Sequence, residues 1–520
     1  MRRIAMRKVV VWFAVAALAG VSLLLILLYG AGPALRAAAR RRTEAYLKTN
    51  FNSTVELGDF QASVFPRLHL TVDGVVLHYK GRTDIPPLIQ INRITLDAGI
   101  IGILRSHPII RSIRLDGLQI HIPPHQQGEQ PILHGTDEDL ASKYPVTIGE
   151  MHADSALLVI LSHDPAKAPR EFVLHSLELH SVDFGRPANF HAILTNPVPK
   201  GEIDTSGTFG PWNADDPSVS PLDGHYTFEN ADLGTIKGLS GILSSTGTFK
   251  GPLDYLTVEG ETNTPDFSLR TSRHPLLLHT DFSAIVDGTN GNTILNSVVA
   301  RFLHSTLDVK GEVADKTPLR GRTISLDAVT SHARVEDLLH LAVDSQEPLM
   351  TGDAKLRTHI EIGEGDEDLI ERMTLSGTFE MADTRFTSAQ TTQRIETLSM
   401  KGQGKPAEQP DGDPVSELKG RFNIQKGVVA FTRLSFGVTG ALISLKGTYS
   451  LDSQDLDFLG KVRLQAKLSQ TTTGVKSFFL KAVDPFFRGK DGGTELPIRI
   501  TGTKDKPAFG LDLHDKFNRE

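Results

Sequence analysis

The sequence predicts a mainly β protein in which an N-terminal transmembrane helix precedes long antiparallel strands and a few short amphipathic helices. One uncharged run near the N-terminus is long enough to cross a bilayer. Much of the remaining chain alternates apolar and polar residues with period two, as strands do when one face is apolar and the other wet. Ser, Thr, Val and Ile are common throughout this part, which favours strands over helices.

The uncharged run comprises 22 residues from Val9 to Gly30. As a helix it would span roughly 33 Å, and a bilayer core is about 30 Å thick. A cleaved signal peptide is the alternative, but its apolar region is shorter, about 7–15 residues, and a small-residue cleavage site follows it. We therefore favour a membrane anchor, with these residues among those in the bilayer: Val9, Trp12, Leu18, Leu24 and Leu28.

The orientation of this anchor is not decided by charge, because four basic residues flank each end of the run. They are Arg2, Arg3, Arg7 and Lys8 on one side and Arg36, Arg40, Arg41 and Arg42 on the other. Residues 1–8 are too few to form a domain, and long domains translocate largely regardless of flanking charge. We expect the N-terminus in the cytoplasm and the body outside it.

Composition excludes several classes of function. The chain has no cysteine, so it has neither disulfides nor thiol catalysis nor zinc–cysteine sites. Eight of its 55 basic residues lie in 1–42, which leaves 47 basic against 62 acidic residues in the body. Such an acidic body has no electrostatic footprint for nucleic acid.

The clearest alternation predicts one long strand from Leu456 to Leu468. The polar residues of this segment, such as Lys461 and Arg463, fall on the opposite face. Its apolar face would carry Leu456, Phe458, Gly460, Val462, Leu464, Ala466 and Leu468.

Helix and loop signals are few. The amphipathic pattern predicts short helices at 335–342, 474–487 and 99–104. Stretches rich in Pro, Gly and polar residues predict loops at 123–144, 164–170, 196–221 and 402–414.

Two segments repeat one feature: 70–77 and 113–120 both change apolar phase at an Asp-Gly pair. A slip of one residue sends later side chains to the wrong face unless the strand absorbs the extra residue in a bulge. A tight hairpin turn at Asp-Gly is the alternative. We favour the bulge.

The ordered set of segments resembles the AsmA-like family of bacterial envelope proteins. The likeness rests on the arginine-flanked anchor, on the module at 64–122 with its Gly-Ile-Leu-Arg-Ser-His-Pro-Ile-Ile joint at 102–110, and on the region 420–513. That last region includes Gly-Val-Val-Ala-Phe at 427–431 and closes with Gly-Thr-Lys-Asp-Lys-Pro at 502–507. We divide the chain accordingly into an anchor segment 1–42, an N-terminal β module 43–200, middle β repeats 201–415 and a C-terminal β region 416–520.

The resemblance implies an elongated, curved antiparallel β-groove with an apolar lining, in the periplasm, anchored to the bacterial inner membrane. It implies a passive conduit or carrier for phospholipid in outer-membrane biogenesis. The alternative is a scaffold or chaperone that assists outer-membrane protein assembly, with outer-membrane or periplasmic proteins as partners. We assign these residues to the groove lining: Phe458, Val462, Leu464, Ala466 and Leu468, with Leu445 and Ile443. A closed core is the competing interpretation of the same face.

No enzyme is predicted. The resemblance supplies no catalytic residues, and the sequence has no His-Glu-x-x-His, P-loop or Gly-x-Ser-x-Gly motif. His175 and His180 would lie on opposite faces of one strand, so they form no ligand pair. The acidic run at 361–371 lacks the spacing of an EF-hand loop. We expect neither a cofactor nor a metal site.

Overall fold

The computed structural model describes residues 54–63, 67–78, 86–99, 109–122, 147–160, 170–183, 186–211, 219–288, 291–314, 322–345, 347–365, 367–405, 417–471, 493–503 and 506–511. These residues form a mainly β fold, with one mixed sheet of 26 strands and three α-helices, which confirms the predicted class in its coarse form. The predicted anchor lies outside the described residues. None of the helices within the described ranges is both long and apolar enough to cross a bilayer.

The chain divides into two compact units. The first contains these strands: β1 (Thr54–Leu57), β2 (Phe60–Ser63), β3 (Leu68–His78), β4 (Ile89–Ala98), β5 (Ile109–Asp116), β6 (Gln119–Ile122), β7 (Thr147–Ile160), β8 (Arg170–Val182), β9 (Ala188–Pro197), β10 (Lys200–Phe209) and β11 (Pro221–Asp232). Residues of both units occur in β13 (Ile242–Pro252), β14 (Leu256–Leu269), β15 (Leu276–Val286) and β16 (Thr293–Phe302).

The second unit contains the remaining strands and the helices. Its strands are β12 (Leu239–Ser240), β17 (Ser305–Ala314), β18 (Thr323–Arg334), β19 (Met350–Ile362), β20 (Met373–Phe386), β21 (Glu417–Gln425), β22 (Val428–Val438), β23 (Ala441–Ser450), β24 (Asp455–Leu464), β25 (Thr494–Thr503) and β26 (Lys506–Leu511). Its helices are α1 (Val335–Ala342), α2 (Leu369–Arg372) and α3 (Ala389–Gly402). The prediction of a helix at 335–342 is confirmed.

The first unit departs from the predicted antiparallel pattern at one place. β5 and β6 both pair in parallel with β7, while the other described pairings of this unit are antiparallel. A parallel pair needs a crossover of a dozen or more residues, and residues 123–146 are numerous enough to provide one. The sheet is therefore mixed rather than purely antiparallel.

The Asp-Gly segments change phase without forming a hairpin. β3 continues through Gly74, which has φ +71°, and the buried positions change from Val72 to Val75. The neighbouring β4 changes phase at the same level, so the pairing of the two strands keeps its register. The second segment also forms no hairpin. β5 and β6 both pair with β4 in the same direction, one on each side of Gly117. The hairpin is thus excluded, but the favoured bulge is wrong as well. The paired strands change phase together, so neither strand has an extra, unpaired residue at the Asp-Gly pair.

The apolar side of β3 to β7 is buried over most of its extent, while Ile120 and Leu158, which pair between β6 and β7, are partly exposed. Its side chains are branched aliphatics, methionine and alanine, with no aromatic ring or glycine among them. Val75, Ile91, Ile113 and Met151 are each exposed by 2 % or less. This part of the first unit is a closed core.

Strands β17 to β26 pair antiparallel in chain order wherever their pairing is described. The predicted strand 456–468 is shorter than expected, because β24 ends at Leu464. Beyond it, the N–H of Gln465 donates to the Gly440 carbonyl and that of Ala466 to the Gly402 carbonyl. Residues 468–471 then form a 3₁₀ turn.

The predicted loop at 196–221 is also wrong in part, because β10 occupies its centre. Gly201 and Gly207 favoured a loop at this place. Both lie in β10, where the neighbouring backbone leaves no room for a side chain. A Cβ at Gly207 would come within 2.1 Å of the Asp223 carbonyl oxygen of β11.

Candidate functional site

An apolar surface runs across β18 to β25 of the second unit, on one side of the sheet. Because the strands pair in register, alternate residues of neighbouring strands line up in rows. We call this surface the apolar face, and it has four rows: Leu326, Ile360, Leu375, Ile424, Val429, Tyr449, Leu456 and Gly502; Ala328, Thr358, Gly377, Phe422, Phe431, Gly447, Phe458 and Ile500; Thr330, Leu356, Phe379, Gly420, Leu434, Leu445, Gly460 and Ile498; Ala333, Ala354, Met381, Leu418, Phe436, Ile443, Val462 and Leu496.

These four rows contain no charged side chain. Every position is apolar or glycine except Thr330, Thr358 and Tyr449. Rows are two residues apart along each strand, so the four rows cover roughly 20 Å of strand length. Neighbouring strands lie about 4.8 Å apart, so eight strands extend each row over roughly 34 Å. The face is thus a broad and continuous apolar surface.

The opposite side of the same strands is polar and carries ion pairs. Glu495 accepts hydrogen bonds from Lys461 at 2.7 Å and from Arg463 at 2.9 Å. The hydrogen bond from Lys461 is the main cause that lowers the pKa of Glu495 below its usual value, and Arg463 adds to it against the effect of burial. Arg499 pairs with Asp457 at 3.2 Å. Each strand therefore has one side for water and one for apolar contact.

Aromatic rings and glycines of neighbouring strands fit together on the apolar face. A Cβ at Gly420 would lie 2.8 Å from the ring of Phe379, and one at Gly447 would lie 2.9 Å from that of Phe458. The rings therefore occupy the space over the glycines. Ring centroids 5.8–6.2 Å apart join Phe379 to Phe422 and to Phe431, and Phe431 to Phe458, so that the contacts include rings from four strands. Such offset and edge contacts stabilise aromatic pairs.

The two ends of the strands are covered by helices. At one end, Ile395 and Leu398 of α3 pack on Phe436, Val462 and Leu464. At the same end, Leu338 and Leu339 of α1 pack against Ala333, Ala354 and Met381. At the other end, Leu369 and Ile370 of α2 pack with Ile236, Leu239 and Ile362.

The middle of the apolar face is accessible only in part. Leu356, Phe422, Leu434 and Leu445 are partly exposed, whereas Phe379 and Phe458 of the same rows are buried. Leu434 and Leu445 lie opposite each other on paired strands, and adjoining apolar side chains that stay partly exposed are a candidate binding surface. This arrangement can hold aliphatic chains by contact alone, and it offers them no charged group.

The predicted lining residues fall into three places. Phe458 and Leu445 lie in the two middle rows. Ile443 and Val462 lie in the outermost row and Leu464 lies just beyond it, all three packed in the cluster that α3 covers. The structure does not place the last two residues of the predicted lining on the strand: Ala466 follows the end of β24 and Leu468 begins the 3₁₀ turn.

Most of the aromatic rings of the face were not predicted from the sequence. Phe431 contacts Phe458, and Phe379 contacts both Phe431 and Phe422, although the four rings come from four different strands. Alternation was visible in their segments, for example in Leu418, Gly420, Phe422 and Ile424. Only the register between strands brings them together, and a single sequence does not contain it.

Comparison with known proteins identifies no relative of this chain. No protein-family model matches it, and neither a curated protein nor a solved structure does. The resemblance to the AsmA-like family therefore stays a prediction.

Proposed function

We propose that the apolar face carries the acyl chains of phospholipid, and that the protein is a passive conduit or carrier for these lipids. The four rows across β18 to β25, which contain no charged side chain, support this proposal. In the predicted setting, the chain is anchored in the bacterial inner membrane and its body lies in the periplasm, where it contributes to outer-membrane biogenesis.

The physical reason is the cost of exposing lipid tails to water. At about 0.8 kcal/mol per methylene, two tails cost on the order of 20 kcal/mol. A face with no charged position lets the tails stay in apolar contact while they move from one strand to the next. Such a face needs no energy source within the protein.

A photocrosslinking amino acid at Leu445, in the full chain embedded in membranes, tests this proposal. Leu445 lies in a middle row and is half-buried, and Lys446 is its exposed neighbour on the polar side of β23. We expect lipid adducts by mass spectrometry at Leu445 and none at Lys446. Lipid at neither position, or equal amounts at both, would contradict an apolar lipid-carrying face. Leu464 is a poorer probe position, because α3 covers it.

A scaffold or chaperone role is the second candidate, and one observation favours it. Among the described strands, β26 pairs only with β25, and its Phe509 and Leu511 are exposed by 63 % and 56 %. An extended segment of a partner could add to such an edge through backbone hydrogen bonds. A crosslinker at Phe509 distinguishes the roles: protein adducts there without lipid at Leu445 favour the scaffold, and lipid at Leu445 favours the conduit.

A further inference from the structure

A pocket of about 250 Å³ opens beside α1 in the second unit. Its lining comes from three places: the turn between β16 and β17, the helix itself, and the residues that follow the helix. The lining is mixed, because acidic and imidazole side chains lie among apolar ones. The apolar part of the lining comprises Leu303, Leu339, Val343, Pro348 and Leu349.

The turn on one side of the pocket has a strained backbone. Leu303 has φ +49°, a conformation that leucine rarely adopts and that Asn or Gly usually takes in hairpin turns. Leu303 lines the pocket and is exposed by 53 %, and Leu349 of the same lining is exposed by 37 %. The pocket therefore presents apolar surface to water.

The carboxylate of Asp337 also lines this pocket, although the residue is only 3 % exposed. Its Oδ2 atom accepts hydrogen bonds from the N–H of His304 at 2.8 Å and from the Ser305 hydroxyl at 2.7 Å. Its Oδ1 atom lies 3.5 Å from Nδ1 of His304, which is longer than a normal hydrogen bond. One oxygen of a buried carboxylate thus has no close donor among the described residues.

No permanent cation balances Asp337 within the part of the chain that the structure describes. Arg334, three residues before it, pairs instead with Glu336 at 2.8 Å and with Asp353 at 2.9 Å. His304 is the basic side chain beside Asp337, and an imidazole is a cation only when it is protonated. Because a buried carboxylate is costly without a counter-charge, a cation that entered the pocket would be stabilised there.

Other ionisable side chains of the pocket have partners of their own. Glu336 accepts a hydrogen bond from the N–H of Gly352 at 3.1 Å, in addition to its ion pair. The ring of His340 stacks on that of His274, with 4.9 Å between their centroids. Asp337 is therefore the group best placed to take a charged ligand.

We propose that this pocket binds a small organic cation, a primary alkylammonium with a short apolar chain. An ammonium group carries several N–H donors, one of which would bond to Oδ1 of Asp337. The alkyl chain would lie against Leu339, Val343 and Pro348. Since a cavity of about 150 Å³ holds benzene, about 250 Å³ suits a ligand of roughly ten non-hydrogen atoms. The proposal does not depend on the function proposed for the apolar face.

A free amine fits the pocket better than the ammonium group of a lipid headgroup does. In an ethanolamine headgroup a phosphate lies close to the ammonium, and the carboxylates of Glu336 and Asp337 would repel it. We therefore expect the ligand to be a free amine, and phosphoethanolamine is the probe that distinguishes the two sources.

Isothermal titration calorimetry of the full chain with hexylammonium chloride tests the proposal. Hexanol is the matched neutral probe, because it has the same alkyl chain and also measures contact with apolar surface elsewhere, including the apolar face. We expect one equivalent of hexylammonium to bind more tightly than hexanol or phosphoethanolamine, by roughly tenfold or more. No binding of hexylammonium, or binding no tighter than that of either other probe, would overturn the proposal.

Two variants separate the charge of the site from its shape. Asp337→Asn removes the charge, and we expect it to weaken hexylammonium binding by roughly tenfold or more. Leu303→Gly removes part of the apolar lining and should weaken binding by about threefold. Asp308→Asn is the matched control, because Asp308 is exposed on β17 outside the pocket and the change in charge is the same.

Leu303→Gly keeps the test decisive if Asp337→Asn does not fold. Glycine accepts the left-handed conformation at this exposed position without strain, so this variant should fold as wild type does. Wild-type affinity for hexylammonium in Leu303→Gly, or in a folded Asp337→Asn, would contradict the proposal. Asp337 would then serve only to tie the turn to α1.

Discussion

The apolar side of β3 to β7 and the apolar face of β18 to β25 both arise from alternating sequences, yet they differ in exposure. The first is made of branched aliphatics with methionine and alanine, and its residues are almost fully buried. The second contains glycines and aromatic rings, and its middle rows combine buried residues such as Phe379 and Phe458 with partly exposed ones such as Leu434 and Leu445. Alternation therefore decides which side of a strand is apolar, but it does not decide what covers that side.

The difference in composition suggests a physical reason for the difference in exposure. Branched side chains such as Ile91 and Ile113 stand up from the sheet and interdigitate with whatever packs on them. On the apolar face, the rings of Phe379 and Phe458 lie over glycines of adjacent strands. Between these rings and glycines the face also carries leucines such as Leu434 and Leu445, which remain partly exposed.

The strongest test of this comparison places a charge in the closed region. Ile91 is completely buried, so we expect Ile91→Arg to leave no stably folded protein. Burying an unpaired charge costs several kcal/mol, out of a total stability of about 5–15 kcal/mol. Limited proteolysis and urea unfolding measure the effect. Asn92→Arg, at the exposed neighbouring position, is the control and should unfold as wild type does.

The same charge in the open region should affect function instead of folding. For Leu445→Arg we expect the free energy of unfolding to fall by less than about 2 kcal/mol, because a long arginine at a half-buried site can reach water. Lipid adducts at a crosslinker placed at Phe422 should fall at least tenfold. Ser444→Arg, on the polar side of the same strand, should change neither quantity. Loss of folding by Leu445→Arg would show that the face is a closed core.

Local features of the chain could be predicted from the sequence, whereas contacts between distant segments could not. The helix at 335–342 and the phase slips at the Asp-Gly pairs follow from patterns within a few residues. The end of β24 depends on carbonyls of Gly402 and Gly440, which no local pattern reveals. The covering of Val462 and Leu464 by α3 is likewise a tertiary contact.

Glycine shows the same limit in another way. In a single sequence, Gly207 and its neighbours resemble a loop, because glycine weakens strands on average. In the sheet, the close approach of β11 requires a residue without a side chain. The candidate site was therefore found in part: Phe458 and Leu445 were predicted, while Phe379, Phe422 and Phe431 required the register.

Glycine on the apolar face gives a prediction of intermediate size. A Cβ at Gly460 would lie 2.0 Å from the Ser444 carbonyl oxygen, so β23 and β24 would have to separate. We expect Gly460→Ala to lower the free energy of unfolding by about 2–4 kcal/mol. Gly510→Ala is the control, because nothing lies within 4 Å of a Cβ at that position. Equal unfolding midpoints for the two variants would contradict the close packing inferred for this face.

The smallest effect is expected on the polar side of β24 and β25, where Glu495 lies between Lys461 and Arg463. The hydrogen bond from Lys461 is the main reason why the pKa of Glu495 is lower in the folded protein than its usual 4.5. The ionised form is thus favoured by folding, and its contribution is complete above pH 4.5 and is lost as pH falls through the lowered value.

Glu495→Gln should therefore reduce stability at neutral pH by less than about 1 kcal/mol, with a difference from wild type that vanishes in acid. Urea unfolding at a series of pH values measures this difference. Asp457→Asn removes the carboxylate that pairs with Arg499. Because Asp457 is more exposed than Glu495, this variant should lower the free energy of unfolding by a smaller amount. If Glu495→Gln has the same pH dependence as wild type, these ion pairs contribute nothing to folding. The stability of the second unit would then rest on the apolar face and the helices at its ends.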